Sequence, residues 1–312
     1  MELDLEKLLE SDKGEGYMIN QMLDKIRVSK FANRVLSLLG CIGLDKVFIL
    51  ILYRYYEKYP TETMHKSVQY FDLHRPDIRM VRNLFADEKS KQVWLQMIKF
   101  RKTMNYKVHP GCEMPSYFVK GIIKFDRQEV FVDCGSFDGK TSIDFIQRAK
   151  SSGGGYRRIV VFEPDALNFK QIEKNMKNIS NVCLFPKGLW NRKTSLRFCA
   201  DGTAASKVLE LGEEYKNTRN ESIIQVTAMD DVPECQDATF IKMDLEGSEM
   251  MALKGAETII KRNKPKLAIC IYHSDQDMLE IIKYIHQLVP EYRLYIRHHS
   301  TSYIDTVLYA VC

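Results

Sequence analysis

No hydrophobic run in this sequence is long enough to cross a bilayer. The longest, Val47 to Tyr53, falls far short of the ~20 apolar residues that a membrane-spanning helix needs. The opening stretch, MELDLEKLLESDKGEG, is acidic and polar, without the basic-then-apolar pattern of a secretory signal. There is no C-x-x-C pair. The 8 cysteines stand at 41, 112, 134, 183, 199, 235, 270 and 312, a spacing that fits neither a zinc site nor a disulfide framework. Several lie in apolar runs, as in Val182-Cys183-Leu184 and Ile269-Cys270-Ile271, where free cysteine behaves as a small buried hydrophobe. The expectation is a reduced protein in the cytoplasm. No repeat or low-complexity tract occurs. A strong charge imbalance is also missing: 46 Lys and Arg face 41 Asp and Glu, a net +5 spread along the chain. That argues against a dedicated nucleic-acid binder, which carries a basic stripe. It is compatible with anionic substrates or weak contact with an acidic membrane surface.

What is present is an ordinary folded composition. Of 312 residues, 45% are hydrophobic and 28% charged, enough for a core in one large domain or two modest ones. Two textures divide the chain. Residues 1–110 read as a mainly helical region, a candidate substrate or oligomerisation cap. Residues 111–312 read as a second unit of α/β pattern. In the first part, Val93, Trp94, Met97 and Ile98 recur at helical spacing, so 87–104 is expected to be a helix. A second helix is expected over Leu44 to Tyr59, where Tyr53, Tyr55, Tyr56 and Tyr59 offer either a stacking platform or, more simply, a docking face. Asn105 to Pro115 reads as a connecting loop.

From Glu129 onward, short β-branched runs alternate with helical periods, the pattern of βαβ units and a parallel sheet. Strands are expected at Glu129–Asp133, Arg158–Glu163, Val182–Phe185, Thr239–Asp244 and Lys266–Tyr272. A helix with Phe169, Ile172, Met176 and Ile179 on one face follows the second of these. Another runs from the fourth through Ile260, and Met278, Ile281, Ile282, Ile285 and Leu288 mark one after the fifth. Ser195–Phe198 reads as a short antiparallel addition, and 200–235 as an insertion or loop. Tyr292–Arg297 and Thr306–Val311 close the chain without a helix between them, a hairpin-like edge on an otherwise parallel sheet.

The first strand runs into Asp133-Cys134-Gly135-Ser136-Phe137-Asp138-Gly139-Lys140-Thr141. A phosphate-binding P-loop needs four residues between its glycines, and Gly135 and Gly139 enclose three. The dinucleotide fingerprint needs a further glycine where Phe137 stands. The remaining pattern, D-x-G-x-x-x-G, suits the loop that holds S-adenosylmethionine. There Asp133 would meet the ligand's ammonium directly or through water, and Gly135 would let the methionine part approach. Thr141 and Asp144 have the spacing of a capping box at the start of the next helix. An ordinary βα turn with two glycines is the plain alternative. Glu163, ending the second strand, stands where an acid accepts ribose hydroxyls in nucleoside-binding folds. Pro164 turns the chain and Asp165 caps the next helix. Lys242-Met-Asp244-Leu-Glu246-Gly-Ser-Glu249 packs four charges at the end of an apolar strand, the edge at which open α/β sheets bind ligands. Lys242 is expected to pair with one of these acids. Glu249 is explained by the helix dipole, and a paired acid cluster offers oxygen ligands to a divalent cation.

KMDLEGSEMMALKGAE resembles the K-x-D-x-E-G-x-E-x-x-x-L-x-G-A signature of FkbM-type methyltransferases. VFVDCGSFDGKT and VVFEPD resemble the first and second motifs of that family, and Tyr295–Ser300 and Thr306–Ala310 its closing strands. The resemblance covers about residues 125–312 and implies that 111–312 form an S-adenosylmethionine-dependent methyltransferase domain. It implies an α/β fold of the class I methyltransferase, Rossmann-like type, with a seven-stranded, mostly parallel sheet behind the helical N-terminal region. It implies S-adenosyl-L-methionine as cofactor, with a hydroxyl on a sugar, glycan or related natural product as methyl acceptor. Carried over by position, Asp133, Gly135, Ser136 and Gly139 would line the methionine end, Glu163 would hold the ribose, and Gly188 and Leu189 would flank the adenine. Asp244 and Glu246 would sit nearest the methyl group. Cys134, Thr141 and Pro164 complete the expected cofactor-binding set. No metal is expected.

Proton removal from an alcohol acceptor needs a base within hydrogen-bond reach. The candidates are His273, just after the fifth strand and the favoured one, then Asp244 and the pair His298 and His299. One of the two neighbouring histidines should point away if both lie on a strand. Lys107, Arg127 and Lys140 could attract an anionic sugar, although a solvated surface explains them better. Two other classes stay open: a non-catalytic nucleoside- or glycan-binding module on the same fold, and an NAD-dependent sugar oxidoreductase, disfavoured by the missing glycine. The expected partners are a small-molecule or glycan acceptor and no nucleic acid, with room for a homo-oligomer.

Overall fold

The computed structural model of the chain describes residues 60–199, 207–209 and 221–312. The tyrosine-rich stretch 44–59 lies outside them. A seven-stranded sheet is assembled from β1 (Glu129–Cys134), β2 (Tyr156–Phe162), β3 (Val182–Phe185), β8 (Phe240–Met243), β9 (Lys266–Cys270), β10 (Arg293–His298) and β11 (Thr306–Val311). Their order is β10-β11-β9-β8-β1-β2-β3. β1 pairs in parallel with both β2 and β8, while β11 runs antiparallel to its neighbours β9 and β10. The expected hairpin-like edge is thus present, with β11 inserted between β9 and β10. A smaller sheet joins β4 (Gly188–Leu189), β5 (Thr194–Cys199), β6 (Lys207–Leu209) and β7 (Glu221–Thr227) in the order β4-β7-β5-β6. The antiparallel addition expected at 195–198 therefore belongs to a second sheet. The segment 200–235, expected as a loop, contributes β7, whose Ile223, Ile224 and Val226 are β-formers.

The alternation of side chains along each strand sorts two layers. On one face, Val132, Ile241, Met243, Ile269, Ile296 and Leu308 belong to the main core. On the other, Phe131, Phe240, Ala268 and Tyr309 meet Phe118, Phe145 and Ile172, and the rings of Phe131 and Phe145 stack at 4.3 Å. This second face is covered by α4 (Lys140–Ser151) and α5 (Ala166–Met176). The first is covered by α6 (Glu249–Lys254), α7 (Glu257–Asn263), α8 (Asp277–Leu288) and three helices that precede β1.

Those three are α1 (Glu62–Leu73), α2 (Arg75–Arg82) and α3 (Glu88–Thr103), the last matching the helix expected over 87–104. Trp94 of α3 is fully buried, and its indole N–H donates to the Met278 carbonyl of α8 at 3.1 Å. Trp94, Met97 and Phe100 share one core with Ile241 and Leu308. The described helices before β1 thus share one core with the sheet. The long helix expected up to Ile260 is broken in two at Gly255 and Ala256. The Trp190 carbonyl approaches so closely that a Cβ on Gly255 would stand 2.0 Å from its oxygen.

Among the described residues no helix is long and apolar enough to cross a membrane.

Candidate functional site

The acids singled out in the sequence converge at the carboxyl ends of β1, β2, β8 and β9. Asp133 is the fifth residue of β1 and opposes Lys242 across the β1–β8 pair. Both side chains are buried, and Lys242 Nζ lies 3.2 Å from Asp133 Oδ1. Lys242 Nζ also donates to the Gly135 carbonyl at 2.6 Å. The lysine expected to pair with an acid of its own run thus pairs across the sheet. Burial works against its charge, but Asp133 and Asp244 outweigh that effect and hold its pKa above the usual value. The other Asp133 oxygen, Oδ2, accepts from the hydroxyls of Ser136 and Ser142, at 2.8 and 2.7 Å.

This corrects several expected roles. Asp133 and Cys134 are completely shielded from solvent. Asp133 supports the loop from within, through Ser136, Ser142 and Lys242. Gly135, at φ +77°, is required by its own chain: a Cβ there would lie 1.9 Å from the Asp244 carbonyl oxygen. The close approach is between the β1 and β8 loops. Gly135→Ala is therefore expected to destabilise the fold by about 2–3 kcal/mol through overpacking and backbone strain, which a urea titration would measure. The capping box is absent too. α4 begins at Lys140 with Gly139 as its N-cap and no side-chain cap. Thr141 is already inside the first turn, and Asp144 pairs with Arg148 at 2.8 Å.

Glu163 follows β2 and joins two loops. Its Oε2 accepts from the Phe137 N–H at 2.9 Å and its Oε1 from the Asp165 N–H at 3.0 Å. Burial raises its pKa and these two N–H groups partly restore it. Each oxygen keeps a lone pair for a further donor. Asp165 caps α5 as expected, accepting from Leu167 and Asn168 N–H at 2.9 Å. Pro164 packs near Gly188, where a Cβ would lie 3.8 Å from the proline Cβ and 3.1 Å from Val226 Cγ1. Leu189 is only 2% exposed and sits in the main core.

Beyond β8 the chain makes two left-handed residues, Glu246 (φ 53°) and Gly247 (φ 93°). This turn gathers Asp244, Glu246 and Glu249 around His273, which follows β9. His273 Nδ1 lies 3.1 Å from Glu249 Oε1, and Nε2 lies 3.5 Å from both Asp244 Oδ1 and Glu246 Oε2. Two tyrosines steady Asp244: Tyr117 Oη donates to Oδ2 at 2.9 Å and Tyr272 Oη to Oδ1 at 3.1 Å. Burial opposes the charge on Asp244, but Lys242, His273 and the tyrosines prevail and its pKa is lowered. For Glu246 burial prevails over His273 and raises the pKa. For His273 burial acts against the cation, yet Glu249, Glu246 and Asp244 together raise its pKa to about 11. The three carboxylates therefore favour the protonated imidazole. A ring held this way is a weaker proton acceptor than a free imidazole, which counts against the expected role of His273 as the general base.

Neither His298 nor His299 reaches this cluster. His298 Nδ1 meets Thr306 Oγ1 at 2.9 Å, and His299 bridges the Glu113 carbonyl and Tyr309 Oη at 2.5 and 2.8 Å. Both are buried, and burial with the neighbouring His109 and His299 depresses the His298 pKa to about 3. Lys107, Arg127 and Lys140 are exposed; Lys140 pairs with Asp138 at 2.5 Å.

Sequence reading alone missed four contributors. Glu249, ascribed to the helix dipole, is fully buried against His273. Tyr117 comes from the segment before β1. Arg101 of α3 grips the loop that carries His273, with Nε 2.6 Å from Asp275 Oδ1 and Nη1 2.9 Å from the Tyr272 carbonyl; no local motif signals that link. Asp305 precedes β11. Burial, then Asp244 and Glu246, raise its pKa to about 6 from 3.8, with His273 partly opposing them. Asp305→Asn removes a charge the folded state tolerates poorly. Below about pH 4 the carboxyl is neutral in both states and the titration effect vanishes. Above pH 6 the gain is complete, at most about 3 kcal/mol. Melting curves of both proteins from pH 4 to 8 would diverge as pH rises, and Asn suits the left-handed backbone (φ 61°) at this position.

A parallel sheet ordered about β1, with one antiparallel strand inserted near its edge and acids at the carboxyl ends of β2 and β8, defines a class I methyltransferase fold. A model of the FkbM methyltransferase domain matches residues 133–298, more than half of the chain, and the chain belongs to that family. The crystal structure of methyltransferase FkbM from Methylobacillus flagellatus is similar at 27% identity with a TM-score of 0.63, covering 77% of this chain. This chain spans only 59% of that protein. An rRNA methylase from Streptococcus thermophilus aligns over 60% of this chain and 87% of its own, at 13% identity and TM-score 0.37. A methyltransferase from Streptococcus mutans in complex with S-adenosylhomocysteine aligns over 60% and 90%, at 10% identity and TM-score 0.37. At that distance nothing further rests on these two. No curated protein matches the chain.

Proposed function

We propose that this chain is an S-adenosylmethionine-dependent methyltransferase that acts on a hydroxyl group of a sugar, glycan or related natural product. The observation that carries the reading is Glu163: a buried carboxylate that ties the β1 loop to the end of β2 and keeps acceptor capacity for two ribose hydroxyls. The donor set fits the cofactor. Loop 135–139 offers backbone groups to the methionine end, Ser136 offers a hydroxyl steadied by Asp133, and Glu163 accepts from the ribose. Asp244 and Glu246 provide negative charge beside a cationic sulfur. When bound, the cofactor supplies an electrophilic methyl group on a sulfonium, which is a good leaving group.

The chain's own residues then orient and deprotonate. Alignment of acceptor and donor alone supplies a large share of such a rate. Three carboxylates around one imidazolium leave surplus negative charge, which repels an anionic acceptor and favours a neutral hydroxyl. The base assignment moves from His273 to Glu246, whose pKa is raised by burial and whose side chain is 36% exposed. A carboxylate poised nearer neutrality is the better proton acceptor. Burial of Cys134, Cys235 and Cys270 in apolar surroundings fits the reducing, cytoplasmic setting we propose.

Thermal melts with S-adenosylhomocysteine, NAD and ATP test the cofactor, because a ligand that binds only the folded state raises its stability. Stabilisation by S-adenosylhomocysteine alone is expected; a response to NAD alone would support an oxidoreductase. Transfer of label from S-adenosylmethionine to hydroxyl-bearing glycans separates an enzyme from a binding module.

A further inference from the structure

We propose that Asp244, Glu249 and His273 form a binding site for a divalent transition-metal ion such as Mn²⁺. Each residue offers one ligand atom, and these atoms lie within 4.8 Å of one another. Two metal–ligand bonds of about 2.1 Å span that distance after side-chain shifts of a few tenths of an ångström. The three come from two rigid places: the β8–α6 turn and the residue three beyond the end of β9.

Acids near one another do not make a metal site, but two buried side chains of this cluster carry polar atoms without a hydrogen-bond partner. The His273 side chain is nine-tenths buried, with carboxylate oxygens at 3.1–3.5 Å around it. Even so, neither ring nitrogen makes a hydrogen bond of good geometry. Glu249 is completely buried, and its Oε2 has no hydrogen-bond partner. Buried polar atoms of native proteins are nearly always satisfied, and an ion is one of the few explanations when they are not. Glu249 Oε1 is fixed by the Leu245 N–H at 2.6 Å, and Asp244 by Tyr117 and Tyr272. Supporting bonds of this kind are what orient metal ligands. Lys242 is already paired with Asp133, and an ion bound to the neutral imidazole would take the place of the proton that the three carboxylates otherwise hold on His273.

The donor chemistry selects the ion. An all-oxygen set suits Mg²⁺ or Ca²⁺, whereas one imidazole among carboxylates favours an ion that accepts nitrogen as well, such as Mn²⁺ or Zn²⁺. Glu246, 3.5 Å from the same ring and partly exposed, stands at the open side, where water or an acceptor oxygen would complete the coordination.

The test is titration of the metal-stripped full chain with Mn²⁺ alone, following free Mn²⁺ by electron paramagnetic resonance. One saturable site per chain is expected, weakened at least tenfold in both Glu249→Gln and His273→Gln, with Mg²⁺ a poor competitor. Failure of the wild-type chain to bind Mn²⁺ saturably would overturn the proposal, as would binding that both variants retain. If either variant does not fold, anomalous diffraction from Mn²⁺-soaked wild-type crystals decides: a peak among the three side chains supports the site, and a peak elsewhere or none removes it. S-adenosylhomocysteine binding is measured on the same samples. Intact binding of that compound without Mn²⁺ binding would remove the cation site and leave the methyl-transfer reading standing.

Discussion

Glu163→Ala is expected to weaken S-adenosylhomocysteine binding by tenfold to a hundredfold or more. Hydrogen bonds to a charged acceptor contribute about 1.5–3 kcal/mol each, and about 1.4 kcal/mol is tenfold in affinity. Two ribose hydroxyls would lose such an acceptor together. The substitution also releases the Phe137 and Asp165 N–H groups that Glu163 now holds, so part of the loss comes from a loop no longer organised for the ligand. Glu163→Gln separates the two causes. It keeps one carbonyl oxygen and the side-chain shape, so loop order survives better while the charge is gone. Isothermal titration of the three proteins should rank them wild type, Gln, Ala. Equal affinity in all three would mean that the ribose is held elsewhere.

The largest effect on stability is expected for Lys242→Met. The lysine and Asp133 are both out of solvent and 3.2 Å apart. Removing one partner strands the other charge inside the protein, at a cost of about 3–5 kcal/mol. For a chain of this size, with 2–4 °C per kcal/mol, the melting temperature should fall by roughly 6–20 °C. The double variant Lys242→Met with Asp133→Asn should recover much of that loss, because no buried charge is left alone. If the single and double variants melt together, the pair is not what stabilises this region. Ser136 and Ser142 would also lose a charged acceptor in the double variant, so recovery should remain incomplete.

The fold was legible because hydrophobic periodicity and burial are the same fact seen twice. Strands such as Val182–Phe185 and Thr306–Val311 fall where their β-branched runs place them, and Asp165 caps its helix because its carboxylate is two and three residues from the N–H groups it satisfies. The misreadings have a common cause. Spacing alone puts a capping box at Thr141 and Asp144, while the start of α4 is set by the left-handed backbone at Gly139. The break at Gly255 answers to the Trp190 carbonyl, 65 residues earlier in the chain and in contact only after folding. The strand β7 carried a local signal in Ile223, Ile224 and Val226 that the surrounding polar residues obscured.

The candidate site divides in the same way. Which strand ends carry Asp133, Glu163, Asp244 and Glu246 follows from the sequence, because a short apolar run stops where the charges begin. The ionisation of these groups does not. His273 looks like a base while it is considered alone, but Glu249, Glu246 and Asp244 around it favour its protonated form. Glu249 changes from a helix-start acid into a buried neighbour of that ring. Arg101 and Tyr117 enter only because the residues before β1 pack on the same sheet. Local pattern decides where backbone turns and polar residues occur, since both depend on neighbours a few residues away. Charge state and partnership depend on distances of a few ångström between groups far apart in the chain, and those exist only in the folded protein.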